Sequence, residues 1–258
     1  MFEKFLMPLD RQFDDGYEVT AEAFRDAAVR LSEHEGKLAF ANSHLPINFL
    51  YRHALELYLK SAIFTVHRAL NLPSGDGPHT AQPLIRIDGK WKAVHKTHSV
   101  KSLIDELTRL LTDHKAELST KTPRNWETPS ELIEWIDTIE AADSGSTYFR
   151  YPSRNGTNVD AEKSGFLPVD PGTLIAETKT PQQGQRGKVI LGLKDDDGNL
   201  TEVFAMCENP LPELRDALVK AVEMMSGCAF GLHAELVCGY GKQGFAALAE
   251  ETNHEPTD

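Results

Sequence analysis

The chain has 258 residues, 40% hydrophobic and 26% charged, which is enough apolar material for a real core in one domain. No apolar run reaches the roughly 18–20 residues that cross a bilayer, and Met1–Asp10 carries no apolar stretch behind a basic start, so neither a membrane span nor a secretory signal is expected. The 39 acidic against 27 basic residues, a net charge of -12, weigh against strong non-specific binding to nucleic acid, and three cysteines without a CxxC pair exclude a disulfide framework or a cysteine zinc site. A cytoplasmic protein follows from these absences.

The first helix is expected from about Glu18 to His34, where Val19, Ala23, Phe24, Ala27, Ala28 and Leu31 recur at helical spacing before Gly36. A second helix starts at Ser43 as a cap, takes Pro46 in its first turn and runs to about Leu70. It carries the strongest apolar face in the chain, from Ile47 to Val66. Arg52, Glu56 and Lys60 follow each other at i, i+4 and i+8, which stacks them along one stripe of that helix.

Residues 84–94 read as two short strands around Asp88-Gly89, because Asp-Gly flanked by alternating apolar residues favours a tight hairpin. A third helix is expected over Val100–Leu118. A fourth follows Thr128-Pro129 and ends near Ser144-Gly145. Residues 152–187, rich in Gly, Pro, Ser, Thr and Lys, read as a long connection. A second hairpin spans Lys188–Phe204, turning at Asp195–Asn199. The last helix begins at Asn209-Pro210 and runs to about Val237, leaving 239–258 as a flexible tail. Together these predict one all-α domain over 1–258, an antiparallel bundle of about five helices with β-hairpin insertions near 83–95 and 187–205.

Two motifs carry no metal. Asp195-Asp196-Asp197-Gly198 lacks the sixth-position glycine and twelfth-position glutamate of a calcium loop, since Leu200 and Met206 stand there. His95 and His98 form an H-x-x-H pair, but no further ligand accompanies them. No cofactor is expected.

Three segments carry a resemblance: His53-Ala-Leu-Glu-Leu-Tyr-Leu-Lys-Ser-Ala-Ile63, His98-Ser-Val-Lys-Ser-Leu103 and Phe149-Arg-Tyr-Pro152. In this order they resemble the HEPN domain family of prokaryotic toxins, phage-defence systems and RNA-processing proteins. The likeness covers roughly residues 17–152 and the last helix. Active members of that family are metal-independent ribonucleases built on R-x4-6-H, with the composite site usually shared by two protomers. The resemblance implies that Arg150 orients a phosphate, a role suited to a permanently charged, bidentate guanidinium. The histidine would assist proton transfer near the 2′-hydroxyl. Here four residues intervene and the next position is Asn155, which cannot exchange a proton near neutral pH.

The candidate catalytic set is therefore Arg150 and Asn155, with His53 as the substitute base; the candidate binding set is Glu56, Arg154 and Tyr151. Glu56 has two readings, a solvated partner of Arg52 and Lys60, or an inward carboxylate fixing Arg150. The expected function is an RNA- or nucleotide-binding or protein-interaction module without efficient catalysis, in a defence or stress system. The alternatives are an endoribonuclease using Arg150 with His53 or Asn155, and a dimerisation scaffold. The expected partners are RNA or a nucleotide, a second copy of the chain and another protein, with no membrane.

Overall fold

The computed structural model describes residues 6–34, 42–73, 82–151, 163–170, 190–207 and 211–240. Helix α1 (Tyr17–Glu33) opens behind Gly16, whose φ of +79° no side-chain-bearing residue adopts easily. The buried Asp14 fixes that opening. Its carboxylate accepts from the amides of Gly16 and Glu18 at 3.1 and 2.8 Å and from the Ser61 hydroxyl at 2.6 Å, which also ties α1 to the next helix.

Helix α2 (His44–Ala69) is the axis of the molecule, packed against α1 and against the helices that begin at Val100 and Pro212. Every residue from Ala54 to His67 is buried, as a helix apolar on most of its circumference demands. Ser43 stands at its N-cap position, yet its side chain makes no capping hydrogen bond. Strands β1 (Leu84–Ile87) and β2 (Lys90–Ala93) pair antiparallel around Asp88 and Gly89, both at positive φ, as a two-residue hairpin turn requires. The hairpin is rooted in the core by the buried Ile85 and Val94.

After a 3-10 turn at Val94–Lys96 come α3 (Val100–Asp113) and α4 (Lys115–Lys121). The expected single helix over 100–118 is broken at His114. Residues 112–117 supply no large apolar side chain to hold a continuous helix against the core, and the chain reorients before Leu118 re-enters it. Helix α5 (Ser130–Asp143) follows, and then a turn in which Asp143 accepts from the amides of Thr147 and Tyr148. The last helix, α6 (Pro212–Leu236), packs on α2 and α5 with Pro212 in its first turn. Gly36, Asn209-Pro210, most of 152–187 and the tail from 241 onward lie outside the described residues.

Strands β3 (Phe166–Pro168), β4 (Ile190–Lys194) and β5 (Leu200–Met206) form an antiparallel sheet in the order β3-β5-β4. The expected hairpin is thus two-thirds of a three-stranded sheet. Its third strand is three residues long and ends in proline, which an edge position tolerates. The all-α expectation is corrected accordingly: the fold is mixed α/β, with six helices (59% helical) and antiparallel sheets of two and three strands among the described residues. Strand pairing at both places adds independent backbone ladders to a predominantly helical core. Among the described residues no helix is long and apolar enough to cross a membrane.

Candidate functional site

The stripe Arg52–Glu56–Lys60 faces inward, and none of the three residues is more than 2% exposed. Glu56 is the hub. Its Oε1 accepts from Lys60 Nζ at 2.7 Å and from His98 Nδ1 at 3.0 Å, and its Oε2 accepts from Arg52 Nη1 at 3.4 Å. The backbone entering α3 closes the cluster: the His98 carbonyl accepts from Arg52 Nη2 at 2.6 Å and the His95 carbonyl from Lys60 Nζ at 3.4 Å. Arg52 Nε, also buried, has no hydrogen-bond partner among the described residues.

Burial pushes the Glu56 carboxyl upward, but the charge and hydrogen bond of Lys60, the charge of Arg52 and the hydrogen bond from His98 together outweigh it and hold it below the ordinary carboxylate value. Glu56 is therefore ionised at neutral pH. An ionised carboxylate only accepts, so Nδ1 of His98 must carry the proton in that bond. The second ring nitrogen, Nε2, is then the one left for outside chemistry. The His98 side chain is 57% exposed, so a carboxylate-oriented imidazole stands at the surface above two buried cations. Such an arrangement can accept a proton from a hydroxyl and can attract an anionic group.

The amino end of α3, immediately after His98, is already occupied. Ser99 Oγ caps Ser102 N at 3.0 Å, while Glu140 of α5 accepts from Ser99 Oγ and Lys101 N. A carboxylate therefore sits where an anion would otherwise be drawn to the helix end.

His53 lies one turn from Glu56 but is engaged differently. Its half-buried ring stacks on Phe49 with centroids 5.8 Å apart and meets Phe24 edge-on at 4.5 Å. Burial lowers its pKa, with Lys60, Arg52 and His98 acting in the same direction and Glu56 opposing, so the ring is neutral at pH 7. Arg150 is exposed; its Nε donates to the Ser146 carbonyl at 2.6 Å and its guanidinium sits 5.9 Å from the ring of the exposed Tyr151. Of the two readings of Glu56, the carboxylate faces inward, yet its cations come from its own helix, and among the described residues no ion pair joins it to Arg150. Arg154 and Asn155 lie outside the described residues.

The residue that sequence reasoning set aside is His98. It stood in the resemblance and in the H-x-x-H pair, but nothing in spacing alone links it to Glu56, 42 positions away. His95 is half-buried, and among the described residues no three metal-ligating side chains come together. A separate cavity of about 340 Å³ between α1 and α6 is lined by Glu18, Glu22, Ser226 and Phe230. Its Glu22 is already held by the Tyr58 hydroxyl and by Arg25 at 2.8 Å. Comparison with protein-family models, curated proteins and solved structures gives no match.

Proposed function

We propose that this chain is a HEPN-like module that binds RNA or a nucleotide at His98, without efficient catalysis. The observation that carries the reading is the exposed imidazole of His98 held by the buried, doubly cation-paired Glu56. Arg52 and Lys60 under the surface outnumber Glu56 by one charge, and Glu140 at the adjoining helix end balances it, so a phosphate at His98 would be held by the imidazole itself and not by a surplus of positive charge. Weak catalysis follows from the separation of parts. His53 is packed between two phenylalanines, and Arg150 donates to the Ser146 carbonyl and makes no ion pair with Glu56 among the described residues.

A second reading is favoured by the same ring. With Nδ1 fixed on Glu56, Nε2 of His98 is placed as a general base, which would make the chain a metal-independent endoribonuclease with His98 in the role expected of His53 or Asn155. The test is one experiment with two readouts: binding and metal-free cleavage of a labelled single-stranded RNA by wild type, His98→Ala and Arg150→Ala. Binding that weakens at least about tenfold in His98→Ala, a loss of roughly 1.4 kcal/mol, supports the module. Cleavage that His98→Ala abolishes supports the nuclease. Binding indifferent to His98→Ala would remove the site from both readings.

A further inference from the structure

Between α4 and α5 the chain runs through residues 122–129 without regular structure, a strap that polar bonds hold in place. Thr122 Oγ1 lies 2.9 and 3.0 Å from the Leu118 and Arg124 carbonyls, and the Thr108 hydroxyl of α3 meets that of Thr128 at 2.9 Å. The buried Glu235 of α6 accepts from Trp126 Nε1 at 3.0 Å and pairs with Arg124 Nε at 2.9 Å. The indole comes close to α6 because residue 231 is glycine: a Cβ there would lie 2.7 Å from Trp126 Cη2.

A strap fixed by hydrogen bonds is placed by their lengths and not by the volume beneath it, and a cavity of about 120 Å³ is left under this one. Ile104, Leu107 and Leu111 of α3, Leu132 of α5 and Met225 of α6 form its inner wall, none of them more than 3% exposed. Trp126, Met224 and Cys228 extend the wall. Glu127 and Pro129 also line the cavity and are exposed, so it is reached from solvent on the strap side.

The polar atoms around this space are spent elsewhere. Trp126 Nε1 is on Glu235, the Thr128 hydroxyl on Thr108, and the Glu127 carboxylate on Lys115 and Asn125. Burial pushes the Cys228 thiol up to about 12, so it stays uncharged. A buried water is held by about two to four polar partners, and these walls offer it little to bond. Cavities of about 150 Å³ lined by Leu, Ile and Phe stay dry and take up benzene or xenon. Wall atoms that face an empty space forfeit dispersion contacts, which an occupant of the right size restores. The thioethers of Met224 and Met225 add favourable contacts to an aromatic ring.

We infer that the cavity beneath Trp126 is a binding site for a small uncharged apolar molecule, of the size of one benzene ring or a short branched alkyl group. The inference is independent of the reading of His98, because neither His98 nor the Arg52–Glu56–Lys60 stripe lines the cavity.

The test uses the full chain, carbon-13 labelled at the methyl groups of Ile, Leu and Met, titrated with benzene and followed by methyl chemical shift. Ile104, Leu107, Leu111, Leu132 and Met225 are expected to shift saturably, half-complete on the order of 1 mM. The exposed Ile190, Leu191 and Leu193 of β4 should drift only linearly, as casual surface contact does. Benzoate has the same ring but carries a charge that no cationic side chain of the wall would meet, so it should leave the cavity methyls in place. Cys228→Leu and Leu111→Phe each add carbon atoms to the space and should weaken benzene at least about tenfold, with far-UV circular dichroism checking that each is folded. Wild type whose cavity methyls show no saturable shift up to the solubility of benzene would overturn the inference without recourse to any variant. Saturable shifts produced equally by benzoate would overturn the apolar class of ligand. Benzene shifts that persist undiminished in a folded filling variant would place the molecule elsewhere and overturn the site.

Discussion

Replacing Glu56 with glutamine tests whether the charged stripe of α2 is a buried network or a set of surface pairs. The variant keeps the shape of the side chain but leaves Arg52 and Lys60 buried without a counter-charge. Breaking one side of a buried ion pair costs about 3–5 kcal/mol, whereas an exposed i, i+4 pair contributes about 0.3–0.5 kcal/mol. At about 2–4 °C per kcal/mol for a chain of this size, the melting temperature should fall by roughly 6–20 °C. Guanidinium chloride unfolding followed by tryptophan fluorescence at pH 7 gives the free energy directly. The pH dependence adds a second check. The folded pKa of Glu56 is depressed, so its contribution is fully present above the unfolded carboxylate value of about 4.3 and is lost as pH falls through the folded value. The gap between wild type and Glu56→Gln should therefore narrow in acid. A companion triple variant, Arg52→Met with Glu56→Leu and Lys60→Met, should be neutral or up to about 4 kcal/mol more stable, because it also removes the desolvated charges. Glu56→Gln lying within about 0.5 kcal/mol of wild type at pH 7 would refute the buried network.

Two further outcomes follow from packing. His53→Phe keeps the aromatic cluster with Phe24 and Phe49 and should lie within about 1.5 kcal/mol of wild type at pH 8. The depressed folded pKa of His53 means that wild type loses stability as pH falls below about 6.5, so the variant should gain relative to it at pH 5. Parallel melting-temperature curves from pH 8 to pH 5 would contradict that assignment. Gly231→Ala places a Cβ 2.7 Å from Trp126 Cη2 and 3.2 Å from Arg124 Nη1. It should displace the indole from its 3.0 Å bond to Glu235, cost about 1–3 kcal/mol and red-shift the fluorescence; unchanged emission and stability would show that the close approach is not needed.

The helices were legible because their cores repeat at 3.6 residues. The ends of α1 and α2 fall within about two residues of expectation, and the Asp88-Gly89 turn identified its hairpin outright. What was hidden has physical causes. The i, i+4, i+8 spacing of Arg52, Glu56 and Lys60 is the same whether the stripe meets water or core, and only the arrival of the segment 95–98 over it decides. Strand β3 is too short for a period-two pattern, and it finds its partner through a pairing some 38 positions away. Arg150 is the converse case in kind: a residue chosen by resemblance, whose described contacts are to its own turn at Ser146 and to Tyr151.

The burial of α2 on nearly all sides has a consequence for how the protein is made. Part of the cover of α2 is α6, yet α2 ends at Ala69 and α6 begins at Pro212. At roughly 5–20 residues per second on the ribosome, the most apolar helix waits about 7–30 s for its last neighbour. Throughout that interval the nascent chain offers an uncovered greasy flank, so holdase chaperones have a defined window and a defined target. A stop codon placed before α6 would leave that flank uncovered for good, and such a fragment should be degraded or aggregate, even though its candidate site at His98 is fully encoded.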